Sequence, residues 1–118
     1  IPVAVEFRHP SWDDPAVYEL LERHDAAYVV MSGGGLPCIL KATAGFVYVR
    51  LHGPDPQAMY GGSYSADDLR WWAARIGEWD AQGRDVYVYF NNDLGGNAVR
   101  NARDLKAELG RRPEVRGC

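Results

Sequence analysis

The sequence predicts an α/β fold in which four parallel strands form a sheet and the helices pack on its outer face. Short apolar runs rich in β-branched and aromatic residues occur at 3–8, 27–31, 46–52 and 86–91, as is typical of buried strands. Helical periodicity follows the first, third and fourth runs. Because strands that alternate with helices form parallel sheets with right-handed crossovers, the order β-α-β-loop-β-α-β-α predicts a parallel sheet.

The first helix is predicted by its start signals. Asp13 or Asp14 can cap it, Pro15 suits its first position, and apolar residues recur at helical spacing as far as about His24. The connection between the second and third strands, residues 32–45, contains the run Gly33-Gly34-Gly35 and shows no helical period. We therefore expect an irregular loop there.

The second helix has the clearest signal in the chain. The tetrapeptide S-A-D-D at 65–68 matches a capping box, in which the serine and the fourth residue cap each other's backbone N–H groups. The helix is predicted to end near Gly83 and to bury one face, formed by Leu69, Trp72, Ala73, Ile76 and Trp79. A last helix follows Asn97 and ends at Gly110, so residues 1–110 are predicted to be one domain and 111–118 a loose tail.

Composition and charge exclude several classes of protein. The 118 residues carry a net charge of -3, which argues against bulk attraction to nucleic acid or to an anionic membrane. No apolar run reaches the ~18 residues of a membrane span and no signal peptide is visible. Cys38 and Cys118 fit no metal spacing, which favours a reduced, cytoplasmic setting. The chain starts at Ile1 without a methionine, so we expect a fragment or a processed product.

Polar side chains stand at the ends of three predicted strands. Arg8 and His9 follow the first strand, Arg50 and His52 end the third, and the sequence N-N-D follows the fourth at 91–93. Because parallel strands end at the same edge of a sheet, these groups are expected to form one site at that rim.

The two faces of the predicted strands differ in composition. Aliphatic residues on one face suit packing against helices, whereas the other face presents large polar and aromatic residues that require a cover. A closed barrel would bury that face in its interior, but four strands cannot close such a barrel. The pattern therefore predicts that further strands, or a second copy, cover the face formed by Glu6, Tyr48, Arg50, Tyr87 and Tyr89.

Three motifs resemble those of the YecE-like proteins. They read E-F-R-H-P-S-W at 6–12, Y-V-R-L-H-G at 48–53 and Y-F-N-N-D at 89–93, and an A-x-x-N-A-x-x-L pattern follows at 98–105. The resemblance implies a TIM-like (β/α) barrel of unknown function, of which this chain is the C-terminal half. It supplies no reaction and no cofactor.

The expected site consists of residues at the carboxyl ends of the strands, where TIM-barrel enzymes build their active sites. Glu6 and His52 are the acid–base candidates, because a carboxylate and an imidazole can exchange protons near neutral pH. No metal site is predicted. The ligand-binding candidates are Arg8, His9, Trp12, Arg50, Tyr60, Tyr64, Asn91, Asn92 and Asp93.

Each candidate also has a purely structural interpretation. Glu6 could form an interior ion pair with Arg50 or Arg8, and Trp12 could pack over a helix start. Tyr60 and Tyr64 could cover a substrate or simply pack their loop, and the residues at 91–93 also suit a strand-to-helix turn.

Two functions remain open on the sequence. The first is binding of a small anionic or polyhydroxylated ligand at the rim, with hydrolysis or phosphoester chemistry if the protein is an enzyme. The alternative is a non-enzymatic binding or structural module whose inner ion pairs only stabilise the fold. The expected partners are a small-molecule ligand and either the N-terminal half of the barrel or a second copy, with no nucleic acid or membrane.

Overall fold

The structure, a computed structural model, describes residues 1–55, 57 and 59–111, the last of these for its backbone alone. The helices are α1 (Pro15–Arg23), α2 (Ala66–Ala81) and α3 (Asn97–Arg111). The strands are β1 (Ala4–Val5), β2 (Ala27–Tyr28), β3 (Val30–Ser32), β4 (Phe46–Leu51) and β5 (Asp85–Phe90). The predicted loose tail, 111–118, lies outside the described residues except for the backbone of Arg111, which ends α3.

The strands form two sheets in which every neighbouring pair is parallel. One contains β1 and β2, and the other has the order β3-β4-β5. The predicted single sheet of four strands is therefore corrected, because the second strand changes partner at Val29. Its first part pairs with β1, Val29 N–H donates to Val5 C=O over 2.9 Å, and its second part pairs with β4.

The strands also follow one another in space in the order of the chain. Residues 27–32 keep a regular alternation through the change of partner, since Tyr28 and Val30 pack with the helices while Val29 lies on the other face. The first strand is shorter than the predicted 3–8, and Phe7, beyond its end, stacks on Trp12 and contacts Tyr28.

Helix α2 forms where its sequence predicts. The Ser65 hydroxyl accepts the Asp68 N–H and the Asp68 carboxylate accepts the Ser65 N–H, which completes the capping box. All five predicted apolar residues of α2 are buried, and they pack on Val47, Val49 and Leu51 of β4 and on Leu105 of α3. This core fixes the orientation of β4, so the alternate residues of that strand face the other side of the sheet.

Helix α1 begins as predicted, with Pro15 at its first position and the Asp14 carboxylate accepting the Ala16 N–H over 2.8 Å. It packs on Tyr28 through Leu21, on the same side of the sheets as α2 and α3. Between Ser32 and Phe46 the chain has turns and coil, as the sequence predicted. In the described parts of the chain no helix is both long and apolar enough to cross a membrane.

Candidate functional site

An open cleft of about 760 Å³ lies on the sheet face opposite the helices. It is lined by strand residues whose side chains point away from the α2 core. Glu6 and Arg50 stand near the carboxyl ends of their strands, and the cleft continues along the sheet over the rings of Phe46, Tyr48, Tyr87 and Tyr89. The cleft therefore combines a charged end with an aromatic floor.

Three predicted site residues form one ionic cluster at the charged end. Arg50 Nη1 donates to Glu6 Oε1 over 2.6 Å, and Arg8 Nε donates to Glu6 Oε2 over 2.7 Å. Arg8 Nη2 also lies 2.7 Å from Glu6 Oε2 in the same ion pair. Arg50 Nε also donates to Asn91 Oδ1 over 3.1 Å. The single carboxylate is thus held between two guanidinium groups, and four of the predicted residues meet at one point.

The charges set the protonation of Glu6. Burial acts to raise the pKa of its carboxyl, but the hydrogen bonds and positive charges of Arg8 and Arg50 together outweigh it, so the net pKa lies below the ordinary value. Glu6 is therefore ionised near neutral pH and cannot serve as a general acid there. The Arg8 and Arg50 side chains remain 46% and 29% exposed, so each side chain still has surface available to a ligand.

The aromatic floor consists of two cross-strand pairs. Tyr48 and Tyr89 are stacked with ring centroids 5.0 Å apart, and Phe46 meets Tyr87 edge to face at 6.1 Å. Tyr87 and Tyr89 are nearly half exposed. The sequence placed these rings on the uncovered face but did not include them among the ligand-binding residues.

His52 is fully buried, although its position in the alternation put it on the same face as Arg50. Within residues 1–55, 57 and 59–111, neither ring nitrogen has a hydrogen-bond partner. Burial first, and then the charge of Arg50, lower its pKa, so the imidazole is neutral near pH 7. The ring of Tyr60 meets that of His52 edge to face, with centroids 5.4 Å apart. His52 therefore lies beside the cleft under a side chain of the following loop, and its acid–base role stays a prediction.

Tyr64 is buried rather than exposed as a cover for the cleft. Its hydroxyl accepts the Gly53 N–H over 2.9 Å, and its own N–H donates to Asn101 Oδ1 over 3.0 Å. Asn92 is fully buried and donates from Nδ2 to Asn101 Oδ1 over 2.8 Å and to Gly62 C=O over 3.0 Å. These contacts anchor the loop after β4. Tyr64 and Asn92, both predicted to bind a ligand, therefore have a structural role.

The remaining candidates lie apart from the ionic cluster. His9 is exposed and its Nδ1 accepts the Ser11 N–H over 3.1 Å, while Trp12 is stacked on Phe7 at 4.7 Å. Asp93 is exposed and its backbone C=O accepts the Gly96 N–H. Ligand contacts by these three residues stay predictions. Within the described ranges, no group of three or more His, Cys, Asp or Glu side chains is arranged to hold a metal ion.

The loops at the rim approach each other backbone to backbone. A Cβ atom on Gly33 would lie 2.2 Å from the Gly53 carbonyl oxygen, and one on Gly53 would lie 2.3 Å from that of Gly61. Gly33 and Gly53 have φ values of +107° and +127°, which glycine adopts readily and other residues do not. Gly33, the first residue of the glycine run after β3, thus has a packing reason that the sequence alone did not reveal.

Asn101 is the residue that the sequence analysis missed. It lies in the A-x-x-N-A-x-x-L pattern at 98–105, between Ala98 and Leu105 on one helical face. An amide on an apolar helix face signals a buried polar contact, and its Oδ1 accepts from both Tyr64 and Asn92.

Comparison with known families decides what kind of protein this is. The family described as "Protein of unknown function DUF72" matches residues 1–116. The chain belongs to the DUF72 family. The match confirms the expectation of a family of unknown function, whereas the name YecE is not confirmed by it.

Other DUF72 relatives agree with this assignment. The UPF0759 protein YunF of Bacillus subtilis (strain 168) is 30% identical over an alignment of 128 positions. The alignment covers 89% of this chain and 45% of that protein. A DUF72 family protein from Thermotoga maritima MSB8 is 32% identical with a TM-score of 0.86, over 93% of this chain and 46% of that one. A DUF72 family protein from Enterococcus faecalis V583 has a TM-score of 0.82 at 20% identity, over 93% and 48%. The chain thus spans less than half the length of these DUF72 relatives.

Proposed function

We propose that this DUF72 chain is the C-terminal half of a (β/α) barrel, as the YecE-like resemblance implies, and that its rim binds the anionic group of a small ligand. Two features support the half-barrel. The strands are parallel and follow the chain order in space, and all three helices pack on one face. That arrangement is what successive β/α units of a barrel have in common.

The ionic cluster is the observation that carries the binding proposal. Arg8 and Arg50 share the single carboxylate of Glu6, so the cluster has an excess of one positive charge at the end of an open cleft. A guanidinium presents several N–H donors in a planar fork that suits carboxylate and phosphate oxygens. An anionic group that binds here would balance the charge without displacing Glu6.

The aromatic floor supports a ligand with a polyhydroxylated body. The stacked rings of Tyr48 and Tyr89 offer an apolar surface with phenol groups at its margin, and such surfaces suit sugar rings, which have apolar faces and polar edges. Anion binding at the cluster and ring packing on the floor together favour a sugar phosphate or a sugar acid as the ligand class.

A hydrolase or phosphoester-acting enzyme is the second candidate function. A neutral imidazole such as that of His52 can accept a proton from water, and its unpartnered nitrogens favour this candidate. Glu6 would act as the ionised partner that orients the two arginines. The non-enzymatic alternative, in which the ion pairs only stabilise the fold, is favoured by the complete pairing of Glu6.

The cleft face requires a cover in any of these functions. Tyr87 and Tyr89 remain nearly half exposed, and we propose that an N-terminal barrel half, or a second copy of this chain, covers them. Light scattering at increasing concentration tests the second copy. A monomer at every concentration would exclude it and leave the other barrel half as the cover.

Isothermal titration calorimetry tests the binding proposal with three probes: inorganic phosphate, ribose 5-phosphate and ribose. We expect the two phosphates to bind more tightly than ribose, and Arg50→Ala to weaken them by about tenfold or more, since a hydrogen bond to a charged group contributes ~1.5–3 kcal/mol. Arg70→Ala is the matched control, because Arg70 pairs with Asp67 on the surface of α2. Equal affinities of wild type and a folded Arg50→Ala variant would refute the proposal.

A further inference from the structure

His52 is one of the buried polar side chains that the described part of the fold leaves unsatisfied. It has no exposed surface, and neither Nδ1 nor Nε2 has a hydrogen-bond partner among the residues that the structure describes. Buried polar groups in native proteins are nearly always paired, so an unpaired imidazole calls for a missing partner. A neutral imidazole has one donor and one acceptor, and a hydroxyl group can satisfy either.

The cleft itself stops short of this histidine. Arg50, two residues earlier on the same face of β4, lines the cleft, whereas His52 does not. The ring of Tyr60 lies against the imidazole at 5.4 Å between centroids while Tyr60 is itself 38% exposed. The Tyr60 side chain therefore contacts the buried imidazole while part of it remains open to solvent.

Tyr60 is held in this position by an unusual backbone and by the ionic cluster. Its φ is +69°, in the left-handed region that non-glycine residues enter at an energetic cost. Such strain is found where a side chain has a functional position to keep. The Tyr60 hydroxyl is also close enough to the Arg8 guanidinium to act with Glu6, the larger cause, in raising the pKa of Arg8. The Tyr60 side chain that lies against His52 is therefore linked to the ionic cluster of Glu6, Arg8 and Arg50.

We infer that Tyr60 is a removable cover over His52, and that a ligand whose anionic group binds Arg8 and Arg50 places a hydroxyl against the uncovered imidazole. This inference rests on the proposed function for the anionic group and adds a second binding residue. It narrows the ligand class to compounds that have a hydroxyl near the anionic group. When an anion engages Arg8, the contact between Arg8 and Tyr60 is lost, which favours movement of the ring.

Chemical labelling of histidines tests the cover without any ligand. Diethyl pyrocarbonate labelling, followed by peptide mass spectrometry, compares His52 with His9 and His24, which are both exposed. We expect His52 to be protected in the wild type and to react about tenfold faster or more in Tyr60→Gly, with the other two unchanged. Glycine is chosen because it accepts the positive φ.

Tyr60→Phe keeps the ring but removes the hydroxyl that contacts Arg8, so we expect His52 to react faster than in the wild type and more slowly than in Tyr60→Gly. The cover would be refuted if wild-type His52 reacted as fast as His24, or if it stayed protected in Tyr60→Gly. Either result is independent of ligand binding, so it cannot be confused with failure of the proposed function.

Calorimetry with inorganic phosphate and ribose 5-phosphate tests the hydroxyl contact. His52→Phe keeps the volume of the ring and removes its nitrogens, so we expect affinity for ribose 5-phosphate to fall about tenfold while phosphate binding is unchanged. His52→Gln retains a donor and an acceptor and should recover part of the loss. If His52→Phe weakened the binding of both probes equally, or of neither, the contact between the ligand hydroxyl and His52 would be refuted. If the wild type did not bind phosphate, both the proposed anion binding at Arg8 and Arg50 and the hydroxyl contact with His52 would be refuted. The labelling experiment would still test whether Tyr60 covers His52.

Discussion

Arg50 and Glu6 join the two sheets of the structure through one hydrogen-bonded ion pair, with 2.6 Å between Nη1 and Oε1. Glu6 directly follows β1, whereas Arg50 belongs to β4, and the strand formed by residues 27–32 lies between them. The contact thus spans the point where that strand changes partner at Val29. Its position couples the geometry of the candidate site to the stability of the sheets.

This coupling predicts unequal effects of the two arginines on stability. Arg50→Ala removes hydrogen bonds to both Glu6 and Asn91, and we expect the free energy of unfolding to fall by ~1–3 kcal/mol. Arg8→Ala removes a more exposed partner and should cost below ~1 kcal/mol. Urea unfolding followed by tryptophan fluorescence measures both.

Arg70→Ala provides the baseline for these values, because its surface pair with Asp67 should contribute within ~0.5 kcal/mol. If Arg8→Ala lowered the free energy of unfolding as much as Arg50→Ala, the ion pair of Arg50 and Glu6 between the sheets would stabilise the fold no more than the exposed pair of Arg8 and Glu6.

Glu6 makes stability sensitive to acid. Its pKa in the folded protein lies below the ordinary value of 4.5, so the unfolded chain takes up a proton first as the pH falls. The stabilisation is complete above about pH 4.5 and is lost as the pH falls through the folded pKa. In Glu6→Gln this acid-dependent loss should be smaller, which urea midpoints between pH 3 and pH 7 would reveal. A parallel decline in wild type and variant would contradict the prediction.

His52 adds a second dependence at higher pH. Because its folded pKa lies below the ordinary value of 6.5, protonation favours the unfolded chain. Stability should therefore decline as the pH falls below about 6.5 and level off below the folded pKa. His52→Phe should remove this decline, whereas His24→Phe, at an exposed position, should retain it. If both variants kept the wild-type profile, the burial of His52 would have to be abandoned.

Local sequence signals were sufficient for the helices. The capping box at Ser65 and the five apolar residues of α2 specify its start and its buried face, and Pro15 with Asp14 does the same for α1. Each signal lies within a few residues of the feature it predicts, so no tertiary information was needed.

Two features that depend on distant partners could not be derived from the sequence. The strand at 27–31 reads as one run, and its change of partner at Val29 is set by where β1 and β4 lie. The alternation along β4 placed Arg50 correctly in the cleft, yet the ring of Tyr60 that lies against the buried His52 comes from the following loop and could not be placed from local pattern. The meeting of Glu6 with both arginines was expected from the shared edge of parallel strands, because that rule concerns topology rather than local pattern.

The close approach of the rim loops predicts a large difference between two glycine substitutions. Gly53→Ala introduces a Cβ 2.3 Å from the Gly61 carbonyl oxygen at a φ of +127°, and the backbone must move to accept it. We expect the free energy of unfolding to fall by ~2–4 kcal/mol. Gly35→Ala has a φ of +71° with nothing within 4 Å, so only the conformational cost of ~1 kcal/mol should appear. Equal losses in thermal unfolding would mean that the loops are free to separate.

Asn101 should be the most sensitive polar residue outside the cleft. Its Oδ1 accepts from the Tyr64 N–H and from Asn92 Nδ2, and its Nδ2 donates to Ser63 Oγ over 3.2 Å. Asn101→Ala leaves buried donors of Tyr64 and Asn92 without this acceptor, and we expect a loss of ~2–4 kcal/mol in the free energy of unfolding, since each unsatisfied buried group costs ~1–3 kcal/mol.

A matched control lies one helical turn earlier. Asn97→Ala removes an amide whose side-chain contact is with the exposed Arg100, so its loss should stay below ~1 kcal/mol. Hydrogen exchange gives a second readout, because Asn101→Ala should speed exchange of the Tyr64 N–H while the amides of β4 remain protected. Unchanged exchange at Tyr64 would show that the loop after β4 is held by the Tyr64 hydroxyl and Gly53 rather than by the asparagine network.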